Sequence, residues 1–279
     1  FGWFFNGTDI HIYDGWYTGW ISPFRKFRGY RHIKQFCGLF KRIPRLVSEY
    51  GAQAFPKKEN LMKILPQNIK EMLEELGFKK AYKTMAKYLK VYHQYQPEFM
   101  QIWLKPKKYE TLDEFIKASQ KYQAELIKYY NEFMRAKKYR PVGGLLQFMF
   151  TDIAPLITWA VVDYWREPKE GYYALKESFR PLYIFMKWPN KRLKAKKAYK
   201  TKVFIVNDYH NEYTCMARMY ICDKIVWEKT INIKPDSLLA FDIKFEVPQQ
   251  EKNKAEIILE LETESEKILN KYEIIIEKG

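Results

Sequence analysis

Along residues 111–138 the positions that would face a core recur at three- and four-residue intervals: Leu112, Phe115, Ile116, Ser119, Tyr122, Gln123, Leu126, Ile127, Tyr130, Phe133 and Met134. This one-sided stripe predicts a packed α-helix. Thr111 and Glu114 stand three apart at its start, the spacing of a capping box. Residues 57–105 keep a helical period in a lysine-rich background, interrupted at Pro66 and Pro97. Residues 1–56 are aromatic and irregular, with strand-like pieces at 8–13 and 44–49. After the long helix, Pro141-Val142-Gly143-Gly144 leads into an apolar run at 145–150 that reads as a buried strand. Strand, long helix, buried strand is the rhythm of an α/β architecture with a parallel sheet.

The pattern changes near residue 190. Period-2 alternation takes over at 202–207, 214–222, 225–233, 238–247, 255–261 and 271–277, with turn-like groups such as Asn207-Asp208 and Lys234-Pro235-Asp236-Ser237 between them. Strands this short and this closely spaced predict an immunoglobulin-like β-sandwich. The fold class expected is therefore α/β followed by all-β, with an α/β unit over 1–186 and a sandwich over 187–279.

Composition narrows the function classes. Of 279 residues, 18% are aromatic, which excludes a disordered chain. Lys and Arg number 49 against 33 Asp and Glu, a net +16 that points toward nucleic acid or acidic membranes. The densest basic stretch, 191–202, has no aromatic-basic recognition pattern beside it and reads as a solvated linker and strand face. Neither nucleic acid nor membrane is expected as a partner. The run nearest to a membrane span, 145–162, contains Gln147, Asp152 and Pro155. Cys37, Cys215 and Cys222 lack metal-like spacing, and the last two are expected on neighbouring strand positions. A reducing, cytoplasmic compartment follows as the default. His32, His93 and His210 read as solvated surface residues, and no histidine pair has metal-ligand spacing, so neither metal nor other cofactor is expected. Phe1 opens a stretch that already looks mid-domain, so the chain is expected to be part of something longer.

Active sites of parallel β/α architectures lie at the C-terminal ends of strands. Three such ends carry chemistry here: Asp9-Ile10-His11-Ile12-Tyr13-Asp14-Gly15-Trp16-Tyr17; Arg45-Leu46-Val47-Ser48-Glu49-Tyr50-Gly51; and Gln147 to Asp152 running on to Pro155 and Trp159. On spacing alone, Glu49 is either a solvated strand end or a buried carboxylate with a task. Carboxylates among aromatic walls hold and cleave sugar rings, because CH faces stack on rings while hydroxyls need acceptors. Trp16 and Tyr17 are balanced between rim packing and the site itself.

The stretch Arg45-Leu-Val-Ser-Glu49-Tyr-Gly51-Ala-Gln53-Ala-Phe55-Pro56 closely resembles the R-F-V-S-E-F/Y-G-x-Q-S-x-P segment of glycoside hydrolase family 2, in its β-mannosidase-like branch. Thr158-Trp159-Ala-Val-Val-Asp163-Tyr164 and Pro168 to Lys176 resemble that family's S-W-S-x-x-D-Y … K-P-x-Y-Y-A-x-K. Gln120-Lys-Tyr-Gln123-Ala-Glu125 looks like its Q-x-x-Q-A-E helix. The resemblance covers nearly the whole chain and is weakest over 57–105. It implies about strands six to eight of a (β/α)8 barrel, followed by the immunoglobulin-like domain. It also implies a carbohydrate substrate, a β-mannoside or related β-glycoside, and Glu49 as the nucleophile of a retaining mechanism. Tyr13 would orient that nucleophile. His11, Trp16 and Trp159 would line the sugar pocket, while Gln53 and Asp152 would bind hydroxyls or brace loops.

Two departures from the family pattern matter. Where the family reads W-Q-L-N-D, this chain reads Phe148-Met-Phe-Thr-Asp152, which alters the substrate floor. The family's acid/base Glu follows an Asn upstream of the nucleophile, yet the Asn-Glu pairs here are Asn131-Glu132, in the long helix, and Asn211-Glu212, in a sandwich turn. The partner expected is therefore an N-terminal part of the enzyme or a second subunit that brings the missing carboxylic acid. Alone, this chain is expected to be incomplete and inactive, with an open parallel edge. The competing reading is a non-catalytic split or degenerate subunit for assembly or carbohydrate binding.

Overall fold

The computed structural model describes residues 9–13, 15–17, 44–249 and 253–277. Cys37 and His32 lie outside the described residues. By their internal contacts the residues form two units, divided between Glu177 and Ser178.

In the first unit three short strands pair in parallel in the order β1 (Asp9–His11), β2 (Leu46–Glu49), β3 (Gly144–Leu145). Parallel neighbours need long crossovers, and here the crossover from β2 to β3 is helical. It runs through α1 (Lys58–Ile64), α2 (Gln67–Glu75), α3 (Phe78–Tyr92), α4 (Pro97–Trp103) and α5 (Leu112–Arg135). Each proline that interrupts the helical period opens a new helix: Pro66 is the N-cap of α2 and Pro97 the first residue of α4. There the missing N–H forfeits no intrahelical bond. Gly77 separates α2 from α3 at φ +76°, a left-handed conformation in which a Cβ is strained.

Helix α5 follows its pattern closely. Thr111 accepts from the Glu114 N–H at 3.2 Å, and the Glu114 side chain accepts from the Thr111 N–H, closing the capping box. Leu112, Phe115, Ile116, Ser119, Gln123, Leu126, Ile127, Tyr130 and Met134 are all buried. Removing the cap leaves helix N–H groups without partners. Thr111→Ala is expected to cost about 1 kcal/mol and Thr111→Ser close to nothing, read from urea denaturation midpoints.

The run at 145–150 is not a continuous strand. Ladder pairing stops at Leu145; beyond it, Leu146 N donates to Val47 O and Phe148 N to Tyr50 O while the chain bends away. Leu146 and Phe150 are exposed, so the apolar run does not pack inward throughout.

The second unit consists of two sheets, β5-β11-β10-β7-β8 and β4-β6-β9. The strands are β4 (Leu182–Met186), β5 (Arg192–Lys194), β6 (Ala198–Asn207), β7 (Tyr213–Ile221), β8 (Lys224–Ile233), β9 (Ser237–Glu246), β10 (Lys254–Glu262) and β11 (Lys267–Glu277). Ladders are antiparallel except for β5 on β11. Inward positions of β7 and β11 alternate with exposed or half-exposed ones, as one buried face requires. The fully apolar Leu182–Met186 was expected on the α/β side of a boundary at 186/187. It pairs with β6, all five residues are buried, and it belongs to the second unit.

Within the basic stretch, Leu193 and Ala195 point inward, while Arg192, Lys194, Lys196, Lys197 and Lys200 are exposed. It is a strand face and its connection. Cys215 is buried in β7, but Cys222 sits in the β7–β8 turn. Cys222 and Asp223 take φ of 51° and 62° there, as a two-residue hairpin turn demands. The two cysteines are thus not neighbours on strands, because the turn begins one residue earlier than the alternation suggests. Among the described residues, no helix is long and apolar enough to cross a membrane.

Candidate active site

Glu49 is the last residue of β2, the central strand of the parallel sheet. The register of β1 against β2 slips between Ile10 and His11, so that His11 stands opposite Glu49, where an unbroken register would have set it opposite Ser48. The side chains meet there. His11 Nδ1 lies 2.8 Å from Glu49 Oε2, and Tyr13 Oη donates to the same oxygen at 3.0 Å. A carboxylate only accepts, so the ring proton of a neutral His11 is on Nδ1. Burial first, and then the Glu49 carboxylate, push the Tyr13 phenol far above its ordinary value, so it remains a donor across the physiological range. One carboxylate oxygen is held by two donors, and among the described residues none donates to the other.

An aromatic wall stands beside this carboxylate. The Trp159 ring lies 6.1 Å from that of Tyr13, 6.2 Å from Tyr17, 6.4 Å from Trp16 and 6.0 Å from Phe148, centre to centre. Its backbone is fixed from two sides: Gln147 Nε2 and Gln123 Nε2 both donate to Trp159 O, at 3.0 and 3.1 Å. Gln123 Nε2 also lies within hydrogen-bonding distance of Ala52 O and Ala160 O, so one amide of α5 joins the segment after β2 to the segment of Trp159. Gly51 lets these segments approach. A Cβ there would come within 2.5 Å of Phe148 O and 3.4 Å of the Trp159 side chain.

Three residues expected to bind substrate are buried, with their polar atoms engaged within the protein. Trp16 is 0% exposed; it donates through Nε1 to Gln96 and packs against Phe99 and Trp159, supporting the wall from behind. Gln53 is also fully buried, its amide donating to Gln94 O and accepting from Gln96 N, both at 2.9 Å. Asp152 is enclosed as well. It accepts from Thr158 Oγ1 and pairs with Lys169, a lysine 1% exposed that also donates to Ala54 O. Burial raises the Asp152 carboxyl and lowers the Lys169 amine, each offset in part by the other. Gln53 and Asp152 therefore brace loops. His11, which is exposed, and Trp159 and Tyr13, both half-buried, remain on the open side with Glu49.

His93 was expected on the solvated surface. Instead it caps the end of α3, with Nδ1 2.6 Å from Pro155 O and Nε2 buried with no partner among the described residues. His93, Gln94 and Gln96 thus link the α3–α4 connection to all three strand-end segments. No spacing rule finds them, since their partners lie far away in sequence. His210 is exposed, as expected.

No protein-family model matches the chain. Beta-mannosidase B of Emericella nidulans is 31% identical over 78 residues, which is 26% of this chain and 9% of that protein. Among solved structures, a β-D-mannosidase from Dictyoglomus thermophilum superposes with a TM-score of 0.64 at 22% identity, covering 97% of this chain and 30% of that one. An exo-chitosanase from Amycolatopsis orientalis gives 0.58 at 14% identity, covering 96% and 30%. The chain thus shares the fold of these structures over nearly all of its own length but spans 30% of theirs.

Proposed function

We propose that this chain, which resembles the C-terminal part of the β-mannosidase-like branch of glycoside hydrolase family 2, is the nucleophile-bearing portion of a retaining β-glycosidase. In this reading β1, β2 and β3 are strands six to eight of a (β/α)8 barrel, and the second unit is the immunoglobulin-like domain that follows it. The substrate is a terminal β-linked sugar, a β-mannoside or a related β-glycoside.

The observation that carries the proposal is the grip on Glu49. Tyr13 and His11 both hold Oε2, which orients the carboxylate and leaves Oε1 as the attacking atom in this reading. Oε1 attacks the anomeric carbon as the glycosidic bond breaks, and an ester to the sugar forms. Water then releases the sugar with its β-configuration restored. Trp159 supplies an apolar face for the ring. Retention requires a second carboxyl about 5–5.5 Å away to protonate the leaving oxygen and then activate water. Neither internal Asn-Glu pair fits that role: Glu132 is buried within α5 and Glu212 lies in the β6–β7 connection of the second unit. In this proposal the acid comes from an N-terminal segment or a partner subunit completing the barrel.

The test is the stereochemistry of turnover by the completed assembly on 4-nitrophenyl β-D-mannoside, followed by proton NMR. The β-anomer of the free sugar is expected first, mutarotating later. First appearance of the α-anomer would overturn the retaining reading, and no turnover by any complemented assembly would favour a non-catalytic subunit.

A further inference from the structure

Tyr17 lies just past the segment that carries His11 and Tyr13, and its neighbours determine which of its atoms is available. The Trp16 indole Nε1 can only donate, and it lies 2.8 Å from Gln96 Oε1. That contact fixes which way round the Gln96 amide sits, so its nitrogen faces Tyr17 and donates to Tyr17 Oη at 3.3 Å. A phenol oxygen that accepts from an amide keeps its own hydrogen for another partner. Among the described residues, nothing accepts that hydrogen.

Gln96 is itself held in place. Its N–H donates to Gln53 Oε1, and Gln53 Nε2 binds Gln94 O, so the buried glutamine after β2 pins the α3–α4 connection. The Tyr17 ring is set edge-on to Phe99 at 4.8 Å and to Tyr13 at 5.4 Å, and tilted against Trp159 at 6.2 Å. It is half-buried, leaving part of the side chain open beside the Glu49 carboxylate. Burial raises the phenol above its ordinary value, and the Glu49 charge adds to this although the Gln96 bond opposes it, so Tyr17 keeps its hydrogen at neutral pH.

We infer that Tyr17 is a further substrate-binding residue, presenting its O–H to a saccharide hydroxyl beside Glu49, and that Gln96 is the positioning residue that keeps Tyr17 a donor. The ligand class rests on the glycosidase reading above; the hydrogen-bond orientation does not.

The test uses the completed assembly carrying Glu49→Gln, so that ligand is bound without turnover, titrated calorimetrically with 4-nitrophenyl β-D-mannoside. Tyr17→Phe is expected to weaken binding about tenfold, the scale of one hydrogen bond. Gln96→Glu keeps the acceptor for Trp16 but replaces the amide donor with a second acceptor, which draws the Tyr17 hydrogen away from the ligand. It should weaken binding to a similar extent, and add little in a Tyr17→Phe background. Across the four monodeoxy 4-nitrophenyl β-mannosides, the Tyr17→Phe penalty should vanish for one and persist for the others, which a merely structural role would not produce.

Unchanged affinity in Tyr17→Phe, an equal penalty with every deoxy ligand, or no binding at all would overturn the inference. An assembly that binds with this Tyr17 dependence, yet does not hydrolyse the mannoside with Glu49 intact, removes the glycosidase reading and leaves the inference standing.

Discussion

Glu49→Ala in the completed assembly is expected to lower kcat on an aryl β-mannoside by on the order of 10⁶-fold, the scale seen when the nucleophile of a catalytic unit is deleted. The carboxylate is the reacting group in the proposed mechanism, and its two neighbours, Tyr13 and His11, are donors that cannot take over the attack. Folding should be little affected. Glu49 is only half-buried, and its loss leaves Tyr13 and His11 on the open side where water can satisfy them. Steady-state kinetics together with a thermal unfolding scan separate the two effects. Near-normal kcat in a folded Glu49→Ala assembly would exclude Glu49 as nucleophile.

The second large effect concerns the support beneath the site. Lys169→Met is expected to destabilise the first unit by about 3–5 kcal/mol at neutral pH, because Asp152 is left as an uncompensated buried carboxylate. The pH dependence has a definite sign. Burial holds the Asp152 pKa above its unfolded value even with Lys169 present, so its favourable contribution exists below the unfolded pKa and is lost as pH rises through the folded one. Without the lysine that pKa rises further. The deficit of Lys169→Met should therefore shrink as the solution is acidified toward the ordinary carboxylate range. The double variant Asp152→Asn/Lys169→Met should be less destabilised than Lys169→Met alone at neutral pH. Urea unfolding followed by tryptophan fluorescence across a pH series measures both. A deficit independent of pH would show that the pair does not carry the effect.

What was legible in advance depended on how local its cause was. The capping box at Thr111 and Glu114 and the buried stripe of α5 are set by spacing within one helix, and both are found. The alternation of the second unit likewise marks β6 to β11 to within a few residues, but not β4 or β5. The place of Glu49 at the end of an apolar strand was legible, and β2 does end on it; its role as nucleophile is the proposal, and rests on the resemblance of the segment around it. Misreadings arose where the deciding partner is remote. Trp16 binds Gln96, Gln53 binds Gln94 and Gln96, and Asp152 binds Lys169, so residues that look ligand-facing on paper are buried braces. His93 looked solvated for the same reason, its partner Pro155 lying on a segment beyond the long helix. The slip between Ile10 and His11, which brings the histidine opposite Glu49, leaves no mark in the period of so short a strand.

Trapping the glycosyl-enzyme tests the central claim most directly. The completed assembly, inactivated with 2,4-dinitrophenyl 2-deoxy-2-fluoro-β-D-mannoside and digested, should yield one peptide heavier by the fluorosugar, with fragmentation placing the added mass on Glu49. Inactivation with the label on another residue, or turnover of aryl mannosides with no label trapped on Glu49, would contradict the account.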